Sequence, residues 1–269
     1  MIIYCYEDPE MLAEAAARMF VEAAMDAILD HDSFNVALSG GSTPPVLHRH
    51  LADSEYFTPE IIAKSRFFFG DERSVPPDHE ESNVKLARDT LFRPCDIPRE
   101  LVHVPNGGSD NLELEALRYE ITIKRHVPLS PGTGIPSLDL VILGMGPDGH
   151  TASLFPGTAA LHVPPYRVFV SNEVPQLNTH RLTMTYSAIN AASHILIMVT
   201  GEKKAPVMRE IFDPQRRENV TNPYPIEGVR GNGSNVIWLA DHAAISQFSQ
   251  EQLDYFSIDI PVKQEEVSE

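Results

Sequence analysis

The chain has 269 residues, 42% of them hydrophobic and 22% charged, enough for one large α/β domain or two small ones with a substantial core. Its formal net charge of −17 argues against attraction to nucleic acid or to an anionic membrane surface, so an anionic substrate would need basic residues focused in one cleft. Two cysteines, Cys5 and Cys95, with no C-x-x-C, speak against a disulfide framework or a cysteine zinc site and for a reducing cytoplasm. The acidic N-terminus does not read as a signal peptide, and no run is long enough to span a membrane.

Ile2 to Cys5 reads as a short strand. Leu12, Ala16, Met19, Phe20, Ala23 and Ala27 recur at helical spacing and predict a helix over Pro9 to Leu29. Phe34 to Leu38 is the next strand, followed at once by Ser39, Gly40, Gly41, Ser42, Thr43 and Pro44. This is a strand, glycine loop and helix start, with Thr43 as N-cap and Pro44 at the first helical position. Such a transition offers backbone N–H groups, hydroxyls and a helix dipole to an anion; the alternative is an ordinary tight turn. His48 and His50, two apart on a helix, point to different sides, which opposes a metal site. Arg66 to Phe69 reads as a third strand ending in Gly70, Asp71, Glu72 and Arg73, three charges that cannot all be buried unpaired. Asn83 to Leu91 looks helical, Leu101 to Val104 extended, and Leu112 to His126 helical.

Leu138 to Gly157, LDLVILGMGPDGHTASLFPG, is the stretch around which the chain is organised. Leu138 to Leu143 is a strand apolar enough to be buried on both faces. Gly144, Gly146 and Gly149 then allow a tight turn and close approach, and they put Asp148 and His150 at the strand's carboxyl end, where open α/β sheets bind ligands. Gly144 to Gly149 also fits G-x-G-x-x-G, but Asp148 would then lie where a pyrophosphate should. A carboxylate and an imidazole on such a loop suggest acid–base chemistry.

Beyond Gly157, Arg167 to Val170 and Arg181 to Thr185 look extended, Tyr186 to Ala192 helical, and His194 to Val199 a buried strand leading through Gly201 to Lys204. Asn219 to Ser234 is irregular. Val236 to Leu239 is a last strand, with a helix from about Asp241. Trp238 reads as packing rather than stacking on a ligand. Strand–helix alternation predicts a single doubly wound, mostly parallel sheet with helices on both faces, one domain over residues 1–257, and an acidic, frayed tail over 258–269. Four clusters then fall at strand ends: Ser39 to Thr43, Asp71 to Arg73, Asp148 to His150, and Lys204 with Arg181. There is no G-x-S-x-G elbow and no H-E-x-x-H. What remains is a small anionic substrate with proton transfer by His150. Arg73 and Arg181 could instead be structural ion-pair partners of Asp71 or Glu72.

SGGSTP at 39–44, GDER at 70–73, LGMGPDGHTASLFPG at 143–157, His180-Arg181 and GEKKA at 201–205 resemble 6-phosphogluconolactonases, within a superfamily that includes glucosamine-6-phosphate deaminases. The resemblance spans nearly the whole chain. It implies hydrolysis of 6-phosphoglucono-δ-lactone in the pentose phosphate pathway, with no metal and no organic cofactor, and His150 as the base. Asp148 would orient His150, and Arg73 would steady the oxyanion or hold sugar hydroxyls. Ser39, Gly40, Gly41, Ser42 and Thr43, with Asp71, Arg181 and Lys204, would bind the substrate and its phosphate. The partner is thus a sugar-phosphate lactone, with no nucleic acid and no membrane, and a monomer is the expected state. Two rivals stand: a deaminase, which resembles G-x-G-x-D-G-H-I-A-F-N-E-P but whose glutamate is here Phe155, and a non-catalytic sugar-phosphate sensor, which would need a DNA-binding module. One departure from the family pattern is Pro225-Ile226-Glu227, where a Pro-Ala-Ser element is often found.

Overall fold

The computed structural model describes residues 2–130, 132–213, 215–216, 223–231 and 235–256. In chain order the elements are β1 (Ile2–Tyr6), α1 (Pro9–His31), β2 (Phe34–Leu38), α2 (Pro44–Ala52), α3 (Pro59–Ala63), β3 (Ser65–Phe69), β4 (Asp71–Arg73), α4 (Asn83–Ala87), α5 (Leu112–His126), β5 (Leu140–Gly144), β6 (Phe169–Val174), β7 (Thr179–Met184), α6 (Tyr186–Asn190), β8 (His194–Val199), α7 (Ala205–Ile211), β9 (Asn235–Asp241) and α8 (Gln250–Tyr255). Six strands form one parallel sheet in the order β1-β9-β8-β5-β2-β3, which bears out the expected fold class. No described helix is long and apolar enough to cross a membrane.

Alternating side chains on these strands feed two cores. On one face Phe34, Val36, Leu38, Phe67, Phe69, Leu140 and Ile142 pack under α1 and α2. On the other, Ala37, Phe68, Val141, Leu143, Ile195 and Ile197 meet α5, α7 and β6. Strands buried on both sides have no polar face, which is why they read as continuous apolar runs. Trp238 is among them, 1% exposed and edge-on to Phe212 at 5.1 Å, as packing would require.

The structure adds a second sheet that the sequence showed only as loose extended segments. β4, β7 and β6 pair antiparallel in that order. Gly70 is the joint: its N–H donates to Leu38 O of the large sheet, and its carbonyl accepts from Met184 N of the small one. Asp71 to Arg73, expected as the charged end of the third strand, is therefore a strand of its own in the second sheet. Two other expectations are corrected. Leu101 to Val104 makes only an isolated bridge, Phe67 to Val102, after a 3-10 turn at Arg99–Leu101. No helix starts at Asp241. Its carboxylate accepts from Gly201 N and Ala244 N, and the last helix begins at Gln250 behind a Ser249–Gln252 capping box. The tail at 258–269 and most of the irregular stretch 219–234 lie outside the described residues.

β2 and β5 are neighbours, but the chain leaves β2 toward β3 on one side and β5 toward β8 on the other. This is the topological switch point of the sheet, and the crevice beyond it is where such folds bind ligands. The Ser39–Thr43 loop follows β2, and the Gly144–His150 loop follows β5.

Candidate active site

A cavity of about 570 Å³ opens at that crevice. Ser39, Gly40, Gly41, Ser42, Thr43, Asp71, Arg73, Asp148, His150, Arg181 and Lys204 all line it, so every residue expected to bind substrate or take part in the chemistry falls on one surface.

The Ser39–Thr43 loop keeps its shape through two glycines. Gly41 has φ +109, a backbone state closed to most side chains. A β-carbon on Gly40 would lie 1.7 Å from Asn83 Oδ1. Asn83 in turn donates to the Asp71 carbonyl at 2.9 Å and to its Oδ1 at 3.0 Å. Thr43 holds the N-cap position with Pro44 first in the helix, as expected, but its side chain makes no capping hydrogen bond. Its hydroxyl is 2.9 Å from that of Thr200 and ties the β2 loop to the β8 loop. Pro44 and Pro45 carry no N–H, so the donors this corner offers an anion are those of the loop itself, with Ser39 and Ser42 hydroxyls beside them.

In the second loop the backbone curls on itself: Gly146 N donates to His150 O at 2.8 Å and Gly149 N to Gly146 O at 3.0 Å, with Gly149 at φ +73. This brings His150 Nδ1 to 2.5 Å from Asp148 Oδ1. The imidazole also stacks on Phe155, centroids 4.1 Å apart and planes 24° apart. With Nδ1 held by the carboxylate, Nε2 is the nitrogen left for a ligand. Burial pushes the Asp148 carboxyl up, but the hydrogen bond and charge of His150 outweigh it and hold it below its usual value. Next to the pair, Ala152 sits at φ +47, a strained state for a residue with a β-carbon. Neighbouring bonds hold it there: Thr151 Oγ1 to Gly144 O at 2.8 Å, and Ser153 Oγ to Asp71 Oδ2 at 2.7 Å.

Strand alternation divides the β4 charges. Asp71 and Arg73 line the cavity, while Glu72, 1% exposed, points away. Its carboxylate accepts from the N–H groups of Arg73, Asn83 and Val84 and from Ser82 Oγ. Burial still raises its pKa against those bonds. Arg73 stands opposite Arg181 in the β4–β7 register, a like-charge pairing that costs stability unless something anionic joins it. Among the described residues neither guanidinium has a carboxylate partner. Arg73 donates to Glu81 O, and Arg181 to Thr179 Oγ1 and His180 O. The ion-pair alternative with Asp71 or Glu72 is not what the geometry shows. Burial first, then the Arg73 charge, lowers the Arg181 pKa. Burial also lowers that of Lys204, against the pull of Asp148. Among the described residues no three His, Cys, Asp or Glu side chains gather as a metal site. His48 is buried against Thr90 and His50 faces Glu10, diverging as the helical spacing implies.

Sequence reasoning missed three supports of this site: Asn83 behind Gly40, Thr200 opposite Thr43, and the clasp formed by Tyr224 to Gly228. The altered Pro225-Ile226-Glu227 segment is a 3-10 turn in which Tyr224 N donates to Glu227 Oε2 at 2.6 Å. Ile226 N donates to Gly149 O at 2.9 Å, and the Tyr224 ring covers Gly149, 2.5 Å from where a β-carbon would stand. Tyr186 Oη donates to Pro225 O at 2.6 Å and fixes the turn. Thr200 could have been found from its place at the carboxyl end of β8; nothing local marks the clasp.

A profile of the family described as glucosamine-6-phosphate isomerases/6-phosphogluconolactonase matches residues 7–238. A 6-phosphogluconolactonase from Nostoc is 38% identical over 223 residues, covering 83% of this chain and 88% of that one. A probable chloroplastic 6-phosphogluconolactonase 3 from Oryza sativa is 36% identical over 251 residues, 91% of this chain and 75% of its own. The solved 6-phosphogluconolactonase of Trypanosoma cruzi superposes with a TM-score of 0.80 at 30% identity, covering 92% and 97% of the two chains. Matched over most of its length in both sequence and fold, the chain belongs to the glucosamine-6-phosphate isomerase/6-phosphogluconolactonase family.

Proposed function

We propose that this protein hydrolyses 6-phospho-D-glucono-1,5-lactone to 6-phosphogluconate by His150-assisted attack of water on the lactone carbonyl, with one domain over residues 1–257 carrying the reaction. The observation that carries the reading is the His150–Asp148 pair, 2.5 Å apart, in a cavity that also holds Arg73, Arg181 and Lys204. The names borne by the relatives support the same activity. The phosphate rests on the Ser39–Thr43 loop, with Lys204 and Arg181 supplying charge. His150 Nε2 takes a proton from water as its oxygen bonds to C1. Asp148 fixes the Nδ1–H tautomer and steadies the imidazolium. Arg73 faces the oxyanion or the sugar hydroxyls. When the tetrahedral intermediate collapses, the C1–ring oxygen bond breaks and His150 returns the proton to that oxygen. No step calls for a metal or organic cofactor. Cys5 and Cys95, both free, are in keeping with a reducing cytoplasm.

The deaminase reading is disfavoured by Phe155. A phenyl ring stacked on His150 can neither give nor take the proton that the deaminase glutamate handles. The test is direct. Freshly generated lactone should vanish well above its spontaneous rate, while glucosamine 6-phosphate yields no ammonia. Ammonia at a comparable rate would overturn the assignment.

A further inference from the structure

Helix α5 is apolar on two sides. Ala116, Tyr119 and Ile123 are in the core, yet Leu114, Leu117 and Ile121 are 63%, 40% and 59% exposed. At about 100° per residue those three lie within roughly 60° of arc, and their spacing of three and four is that of a coiled-coil seam. Tyr166, 66% exposed, extends the patch at the helix's C-terminal end, where its carbonyl accepts from Lys124 Nζ. Scattered apolar side chains on a surface need no explanation; a continuous stripe does.

The charges around the stripe say what covers it. Asp110 and Glu113 are exposed at the N-terminal end and Arg125 at the C-terminal end, and no ion pair engages any of them among the described residues. Lys124 and Arg118, by contrast, are held by Glu120 and Glu115 on the same helix.

We infer that a second copy of this chain docks here, α5 against α5, antiparallel about a twofold axis beside Leu117. In an isologous pair each patch meets itself. With the axis between Leu117 and Arg118, Leu114 faces Ile121 of the other copy, the two Leu117 side chains stand together, and Asp110 faces Arg125. A parallel pair would set acid on acid. One helix face is smaller than a standard interface of about 1,600 Å², so the dimer is weak, with a dissociation constant in the micromolar to millimolar range. None of the cavity-lining residues lies on α5, so both active sites stay open. This departs from the monomer expected from the sequence.

Sedimentation velocity of the full chain, from about 1 µM to about 0.5 mM, spans the relevant range. The sedimentation coefficient should rise from monomer to dimer with concentration. Leu117→Glu and Ile121→Glu should each stay monomeric with unchanged turnover. Asp110→Arg should weaken association by at least about tenfold, and adding Arg125→Asp should restore it. On oxidation, Leu117→Cys should cross-link to its own copy, whereas Leu29→Cys, on the exposed end of α1, should not. A monomer across the whole series, or a dimer that survives Ile121→Glu, would overturn the inference.

Discussion

Replacing Gly146 by alanine puts a methyl group where the His150 ring already is. A β-carbon there stands 2.0 Å from His150 Nδ1, 2.1 Å from Cε1 and 2.6 Å from Asp148 Oδ1. Ordinary contact begins at 3.4 Å, so the ring must retreat by about 1.4 Å, the difference between 3.4 and 2.0 Å. It has little room to do so while stacked on Phe155 at 4.1 Å. A displacement of about 1 Å at a reacting group is worth about 10²-fold in rate, whereas crowding one methyl into a packed site costs about 1–3 kcal/mol of stability. Gly146→Ala should therefore lose at least about 10²-fold in kcat and still unfold cooperatively. The control is Gly144→Ala at the end of β5, whose β-carbon meets nothing nearer than Met198 O at 3.9 Å; it leaves the His150–Asp148 pair untouched and should lose far less turnover. The assay follows loss of fresh lactone with spontaneous hydrolysis subtracted, beside a urea melt. A folded Gly146→Ala enzyme with turnover near the parent's would refute the claim that this glycine reserves space for the His150–Asp148 pair.

His150→Ala should remove about 10²–10⁴-fold of lactone turnover and leave unfolding cooperative; a folded variant at the parent's rate would take His150 out of the mechanism. Lys204→Ala and Arg181→Ala should weaken 6-phosphogluconate binding more than gluconate binding in calorimetry, and added salt should act in the same sense; equal losses on both ligands would make these residues structural. His48 gives a pH signature in stability. Burial pushes its pKa down from 6.5 to about 4. The unfolded chain binds this proton near pH 6.5 and the folded chain only near pH 4, so the contribution is whole above 6.5 and is lost as pH falls toward 4. At 1.36 kcal/mol per unit that amounts to about 3 kcal/mol. His48→Gln should flatten the unfolding free energy across this window, and an unchanged slope would count against the assignment.

The parts legible in the sequence are those whose cause is local. Phe34–Leu38, His194–Val199 and Leu112–His126 have the observed bounds, because a strand buried on both faces is a nearly continuous apolar run, Asn35 on Asp139 being the buried exception, and α5 carries its own Asn111 cap and basic last turn. The site was legible for a related reason: parallel strands end on the same side, so loops after β2, β5 and β8 converge. What stayed hidden depends on partners far along the chain. Three charged residues in β4 look like the end of the third strand until β7 pairs with them, and only that register sets Arg73 opposite Arg181. Asp241 looks like a helix start, yet its carboxylate is spent on Gly201, forty residues earlier.

The strand order also governs how the molecule is made. Among the described residues β1 precedes every other strand along the chain, and its sheet partner there is β9, which lies between it and β8. Until residues 235–241 leave the ribosome, β1 has no slot, and the edge of β8, His-Ile-Leu-Ile-Met-Val, lies open along its whole length. Such an edge is a template for wrong pairing, and contacts closed over more than two hundred residues form slowly. The nascent chain thus carries the loops of the candidate site at one end of an unfinished sheet. Chaperone demand should peak in the interval between the emergence of β8 and that of β9, and chains halted there should be the ones that aggregate.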